Sequence, residues 1–95
     1  MDDKSFIVIG KWMISKLNLK NSELLVFAAI FTASGYQTHK TFPTFYKPTI
    51  SDLKDKTGYS KSHISKTLIR LEERGLIERF KDKNVYRFEA KIMAQ

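Results

Sequence analysis

The sequence predicts a mostly helical α+β domain: three core helices, a C-terminal β-hairpin, and a short strand and helix at the N-terminus. Two observations lead there. Gly35, Gly58 and Gly75 each stand where an apolar periodic segment stops, and glycine most easily takes the left-handed conformation that ends a helix. Beyond Gly75 the apolar residues alternate instead of recurring every third or fourth position, which is the pattern of strands. Ninety-five residues bound the rest: they support one core, and a hydrophobic content of 42% is enough to close it.

The elements follow in chain order. Phe6 to Ile9 is a short apolar run read as a strand, and Lys11 to Leu17, carrying Trp12, as a brief helix. The first core helix runs from Asn21 or Ser22 to Ser34, with Glu23 in its first turn, where the helix dipole favours an acid. From Leu24 to Phe31 it is apolar on every side, so it is expected at the centre, contacted from several directions. Tyr36 to Lys47 has no sustained period. Its Tyr36, Phe42, Phe45 and Tyr46, together with Trp12, read as core and lid residues, because base-stacking aromatics are interleaved with positive charge and these are not.

The second core helix begins after Pro48, with Thr49 as N-cap and Asp52 three residues on in a capping-box arrangement, and stops at Thr57-Gly58. The third is capped by Ser60 and ended by Gly75. Ile64, Leu68 and Leu71 form its inward stripe, so Ser62, Lys66, Ile69, Arg70 and Glu73 project outward, flanked near the N-terminus by Lys61, His63 and Ser65. Leu76 to Lys81 and Val85 to Phe88 are two strands around an Asp82-Lys83-Asn84 turn. The expected division is residues 1–19 for the N-terminal strand and helix, 20–75 for the helical core, 76–89 for the hairpin and 90–95 for a tail.

Several function classes are poorly supported. With no cysteine there are no disulfides, thiolate metal sites or thiol nucleophiles. His39 and His63 are the only histidines, too few for a metal site without cysteine, and no cofactor is expected. Asp52 and Asp55 share a helix, but Asp55 lies between Lys54 and Lys56 and Asp52 is explained as a cap partner. No nucleophile elbow or phosphate-binding glycine loop is present, so no enzyme is expected. The longest apolar run, Leu24 to Phe31, is far short of the ~20 residues of a membrane-spanning helix. Met1-Asp2-Asp3 is acidic where a signal peptide is basic, so a cytoplasmic location is expected.

Net charge is +7, unevenly spread. Residues 1–35 hold four lysines against Asp2, Asp3 and Glu23, a net +1, which leaves +6 for the remainder. Two helices joined around Thr57-Gly58-Tyr59-Ser60 form a helix-turn-helix, and a basic hairpin behind it makes a winged helix-turn-helix. That arrangement suits duplex DNA. The major groove admits one helix, whose short side chains let its backbone approach the bases while neighbouring Lys and Arg reach phosphates.

Residues 57–77, TGYSKSHISKTLIRLEERGLI, resemble winged-helix DNA-binding domains of the MarR and GntR type, in which a hydroxyl-rich recognition helix passes through Leu-Glu-x-x-Gly-Leu-Ile into the wing. Upstream, Phe6-Ile7-Val8-Ile9, Lys11-Trp12-Met13, Leu19-Lys20 and Glu23 to Ala28 resemble the N-terminal winged-helix region of phage and plasmid replication proteins of Gram-positive bacteria, DnaD-like ones included. This second likeness implies binding at a replication origin or operator, and such proteins usually continue into a second domain.

The candidate DNA-binding residues are therefore Ser62, His63, Ser65 and Lys66 toward the major groove, Lys61 and Arg70 on phosphates, Arg79, Lys81 and Lys83 on the wing, and the N-cap Ser60 at the head of the helix. Plainer explanations stand beside these. Lys61, Lys66 and Arg70 also describe an ordinary solvated face, and the wing cations also describe edge charges that block strand-to-strand aggregation. Ile69 either meets a thymine methyl or packs under the wing, and the second is the expectation. The competing function is a protein-interaction or dimerisation module of a replication or regulatory complex. A third reading combines the two, as a homodimer presenting two recognition helices to half-sites one DNA turn apart.

Overall fold

The computed structural model describes residues 7–33 and 47–91. Within them the chain forms α1 (Lys11–Ser15), α2 (Asn21–Ala33), α3 (Ile50–Thr57), α4 (Lys61–Glu73), β1 (Ile77–Asp82) and β2 (Val85–Ala90). The three core helices of the sequence reading are α2, α3 and α4.

Helix α2 is the hub. Val26, Phe27, Ala28, Ala29 and Ile30 are all fully buried, as a helix apolar on every side requires, and α1, α3, α4 and β2 pack around it. Trp12 of α1 meets Phe27 edge-on at 6.1 Å and Phe31 at 5.3 Å, while Phe27 and Phe31 lie nearly parallel at 6.4 Å. Leu53 from α3, Ile64, Leu68 and Leu71 from α4, and Ile77 and Phe88 from the hairpin complete the core. Ile64, Leu68 and Leu71 thus point inward, as their spacing predicts.

The helix ends follow their capping chemistry. Thr49 Oγ1 accepts from the Asp52 N–H at 3.2 Å and Asp52 Oδ2 accepts from the Thr49 N–H at 2.9 Å, a reciprocal capping box. Gly58, at φ 83°, ends α3 with its N–H on the Lys54 carbonyl. After α4 the Gly75 N–H donates to Glu72 O and the Leu76 N–H to Leu71 O, a Schellman pair that needs the left-handed φ of 74° at Gly75.

A buried hydroxyl pair sets the rotation of α4 against α2. Thr67 Oγ1 lies 2.9 Å from the His63 carbonyl and 3.2 Å from Ser22 Oγ. Thr67 has one proton to give, so the Ser22 hydroxyl supplies the second bond whenever that proton goes to the carbonyl. Thr67→Val keeps the shape and leaves Ser22 short of a partner. The expected cost is about 1–2 kcal/mol, read as a fall of roughly 4–12 °C in Tm by circular dichroism. A Tm unchanged by the substitution would show that water replaces the bond.

The hairpin is antiparallel, from Ile77 opposite Ala90 to Asp82 opposite Val85, with Lys83-Asn84 as its turn. The turn is therefore two residues, shorter than the Asp82-Lys83-Asn84 expected, and β2 continues past Phe88 to Ala90. Lys83 sits at φ 61°, a left-handed conformation that a tight hairpin turn demands and that few non-glycine residues adopt. The Phe88 N–H donates to the Pro48 carbonyl at 3.0 Å, tying β2 to the entrance of α3.

Two N-terminal expectations are corrected. Residues 7–10 form no strand: the Val8 N–H donates to the Thr32 hydroxyl at 2.9 Å, so a side chain takes the bond a neighbouring strand would otherwise supply. Phe6 lies outside the described residues. The helix expected to reach Leu17 stops at Ser15, and Asn18 at φ 58° turns the chain toward α2. Gly10 precedes α1 beneath the Trp12 indole, which occupies the space a side chain there would need. The stops at Ser34 and Gly35, the residues Tyr36, His39, Phe42, Phe45 and Tyr46, and the 92–95 end of the expected tail fall outside the described residues.

Candidate nucleic-acid interface

Helix α4 presents its cations because its apolar stripe is narrow. With Ile64, Leu68 and Leu71 turned inward, Lys61, Ser62, His63, Lys66, Ile69 and Arg70 are all exposed and Ser65 is half-buried. No acid lies in the first turn; Glu72 and Glu73 come only at the far end. The N-terminal half of α4 is therefore cationic and hydroxylic, while its last turn mixes Arg70 with Glu72 and Glu73.

Ser60 is exposed and occupied at once: its Oγ accepts from the His63 N–H at 3.2 Å, capping α4 and leaving the hydroxyl proton to serve an outside acceptor. The His63 ring lies 4.5 Å from that of Tyr59, which packs against the core, so a residue of the inter-helix turn steadies the imidazole.

On the hairpin, period-two alternation puts Arg79, Lys81 and Tyr86 on the same face as the buried Ile77 and Phe88, but further out, past the helices. Arg79 Nε bonds Glu72 Oε2 at 3.1 Å, joining the hairpin to the C-terminal turn of α4. The Arg79 guanidinium and the Lys81 ammonium lie 5.2 Å and 5.9 Å from the Tyr86 ring centre. Lys83 is exposed at the tip. On the opposite face Lys47 Nζ lies 5.1 Å from the Phe80 ring centre, and Arg87 Nη1 donates to the Lys47 carbonyl at 2.9 Å.

A concave surface of about 540 Å³ separates the two elements. Thr49 and Ser51 of the α3 entrance, Lys61 and Ser65 of α4, and Asn84 and Tyr86 of the hairpin line it. It brings together two of the predicted residues, Lys61 and Ser65, while Lys66 and Arg70 lie outside its lining. Ser51, Asn84 and Tyr86 were not singled out from the sequence. A two-residue turn would have supplied the signal for Tyr86, since it places that residue opposite Lys81.

Ile69 does not pack under the hairpin. It is 53% exposed, because Arg79 reaches α4 at Glu72, beyond Ile69 and nearer the helix end.

Gly58 joins α3 to a second helix exposed along one face, and an antiparallel hairpin follows it. Residues 46–84 match the model of the MarR family. The fold is a winged helix-turn-helix. The match takes in α3, α4, β1 and the hairpin turn, and leaves α1, α2 and β2 outside. No curated protein and no solved structure gives a significant match to the chain. Among the described residues no three His, Asp or Glu side chains are grouped to hold a metal ion, and no helix is long and apolar enough to cross a membrane.

Proposed function

We propose that this winged helix binds duplex DNA sequence-specifically as a non-enzymatic transcriptional regulator. The observation that carries the reading is the outward face of α4, where Lys61, Ser62, Ser65, Lys66 and Arg70 precede any acid, with Lys81 and Lys83 on the wing beside it. Ser62, His63, Ser65 and Lys66 enter the major groove, Lys61, Arg70 and the Ser60 hydroxyl take phosphates, and the wing lysines follow the neighbouring backbone. Arg79 serves mainly to fix the wing through Glu72. The MarR-family match supports this reading. The likeness of residues 6–28 to phage and plasmid replication proteins supports replication initiation in a mobile element as the alternative setting for the same docking mode.

A salt titration with a duplex selected from a random-sequence pool tests the proposal. Four to six phosphate contacts predict a log–log slope of affinity on salt of about −4 to −5, and Lys83→Ala should flatten it by roughly one unit. A slope near zero would favour apolar docking and sink the DNA reading. A homodimer is the partner state we favour, because Ile9 and Ile14, just before and within α1, are 46% and 50% exposed and leave apolar surface there. Sedimentation showing only monomer at micromolar concentration would reject it.

A further inference from the structure

We infer that Ile69 reads the C5 methyl group of a thymine in the major groove, which makes it a specificity-determining residue of α4; the inference rests on the DNA-binding reading above. At about 100° per residue the buried residues Ile64, Thr67, Leu68 and Leu71 define one side of α4; Ser62 and Glu73 lie straight across from them, and Ile69 and Lys66 stand about 30° to either side of that line. Ser62, Lys66 and Ile69 thus share the arc that penetrates deepest when a helix enters a groove with its apolar side turned back to its own domain, and Ile69 is the apolar member of that arc. Ser62 and Ile69 are seven residues apart, two turns, so about 10 Å separates them along the axis.

Ser62 can bond to any base edge. Ile69 cannot bond to one at all, and the only apolar group that base pairs display in the major groove is the thymine methyl. The side chain is 53% exposed, and its neighbours on this face, Ser62, Ser65, Lys66 and Glu73, are polar or charged. It therefore forms no apolar patch on which another protein would dock. Isoleucine is also branched at Cβ and nearly confined to one χ1 rotamer in a helix, so its methyl groups are held in place before any contact. Beyond Ile69 the exposed face continues with Arg70 and then Glu73, while Glu72 is held by Arg79.

The test uses the full chain and the duplex enriched from the random pool. Each thymine is replaced singly by deoxyuridine, which deletes the methyl group and keeps every hydrogen-bonding group. Wild type should lose about three- to tenfold in affinity at one or two positions, the scale of one buried methyl contact. Ile69→Ala, altered at a solvent-facing position, should bind thymine and deoxyuridine duplexes alike, and Ile69→Val should keep the preference. Wild type indifferent to every replacement, or an Ile69→Ala that discriminates as wild type does, overturns the role of Ile69 and leaves DNA binding standing. A pool from which nothing enriches, with no salt-dependent binding, overturns both.

Discussion

Lys66→Glu is expected to lower affinity for the selected duplex by about 100-fold or more, with Tm almost unmoved. Lys66 stands on the exposed face of α4, about 60° around the helix from Ile69 and as near as Ile69 to the middle of that face. Reversal removes one favourable contact and sets a carboxylate against the phosphates, and each of the two changes is worth about tenfold. Stability should shift by no more than about 0.5 kcal/mol, since the position is solvated and a glutamate there stands four residues before Arg70, a favourable helix pair. Fluorescence anisotropy at moderate salt reads the first effect and a thermal melt the second. Wild-type affinity in the variant would mean that another face of the molecule meets the duplex.

The largest expected loss of stability belongs to Phe27→Ala. Phe27 is fully buried in the central helix, edge-on to Trp12 and stacked on Phe31, so truncation deletes the middle of an aromatic cluster that α1 and α2 share. The cost of such a change is about 3–5 kcal/mol, against a total of about 5–15 kcal/mol for a domain. Circular dichroism should show Tm falling by roughly 15–30 °C, with DNA binding kept in the cold and lost near the new transition. A decrease of only a few degrees would mean that the cluster collapses into the gap.

The two lines of the sequence that were easiest to read were those in which local chemistry decides the structure. Thr49 with Asp52, Ser60, Gly58 and Gly75 act on backbone groups within a turn of themselves, so the limits of α3 and α4 were visible from residue type and spacing. The inward stripe of Ile64, Leu68 and Leu71 was equally local, and it fixed which side chains face outward. What was not legible depends on distant partners. Ile7 to Ile9 has the composition of a strand, but Thr32, more than twenty residues away, takes the Val8 N–H. The exposure of Ile69 follows from where the hairpin leans, which the Arg79–Glu72 pair records and no periodicity contains. The same pair gives Arg79 an internal partner, where net charge alone offered only a free cation.

The contact of Arg79 and Lys81 with the Tyr86 ring bears on the entropy of binding at the proposed wing. A long cationic side chain ordinarily forfeits about 0.5–1.5 kcal/mol of rotamer entropy when it is immobilised at an interface. Here an aromatic surface already narrows the choices of two such chains, so part of that loss is incurred at folding instead of at encounter. If the hairpin follows DNA as proposed, its hold thus depends on a phenol that carries no charge, and counting cations would miss it.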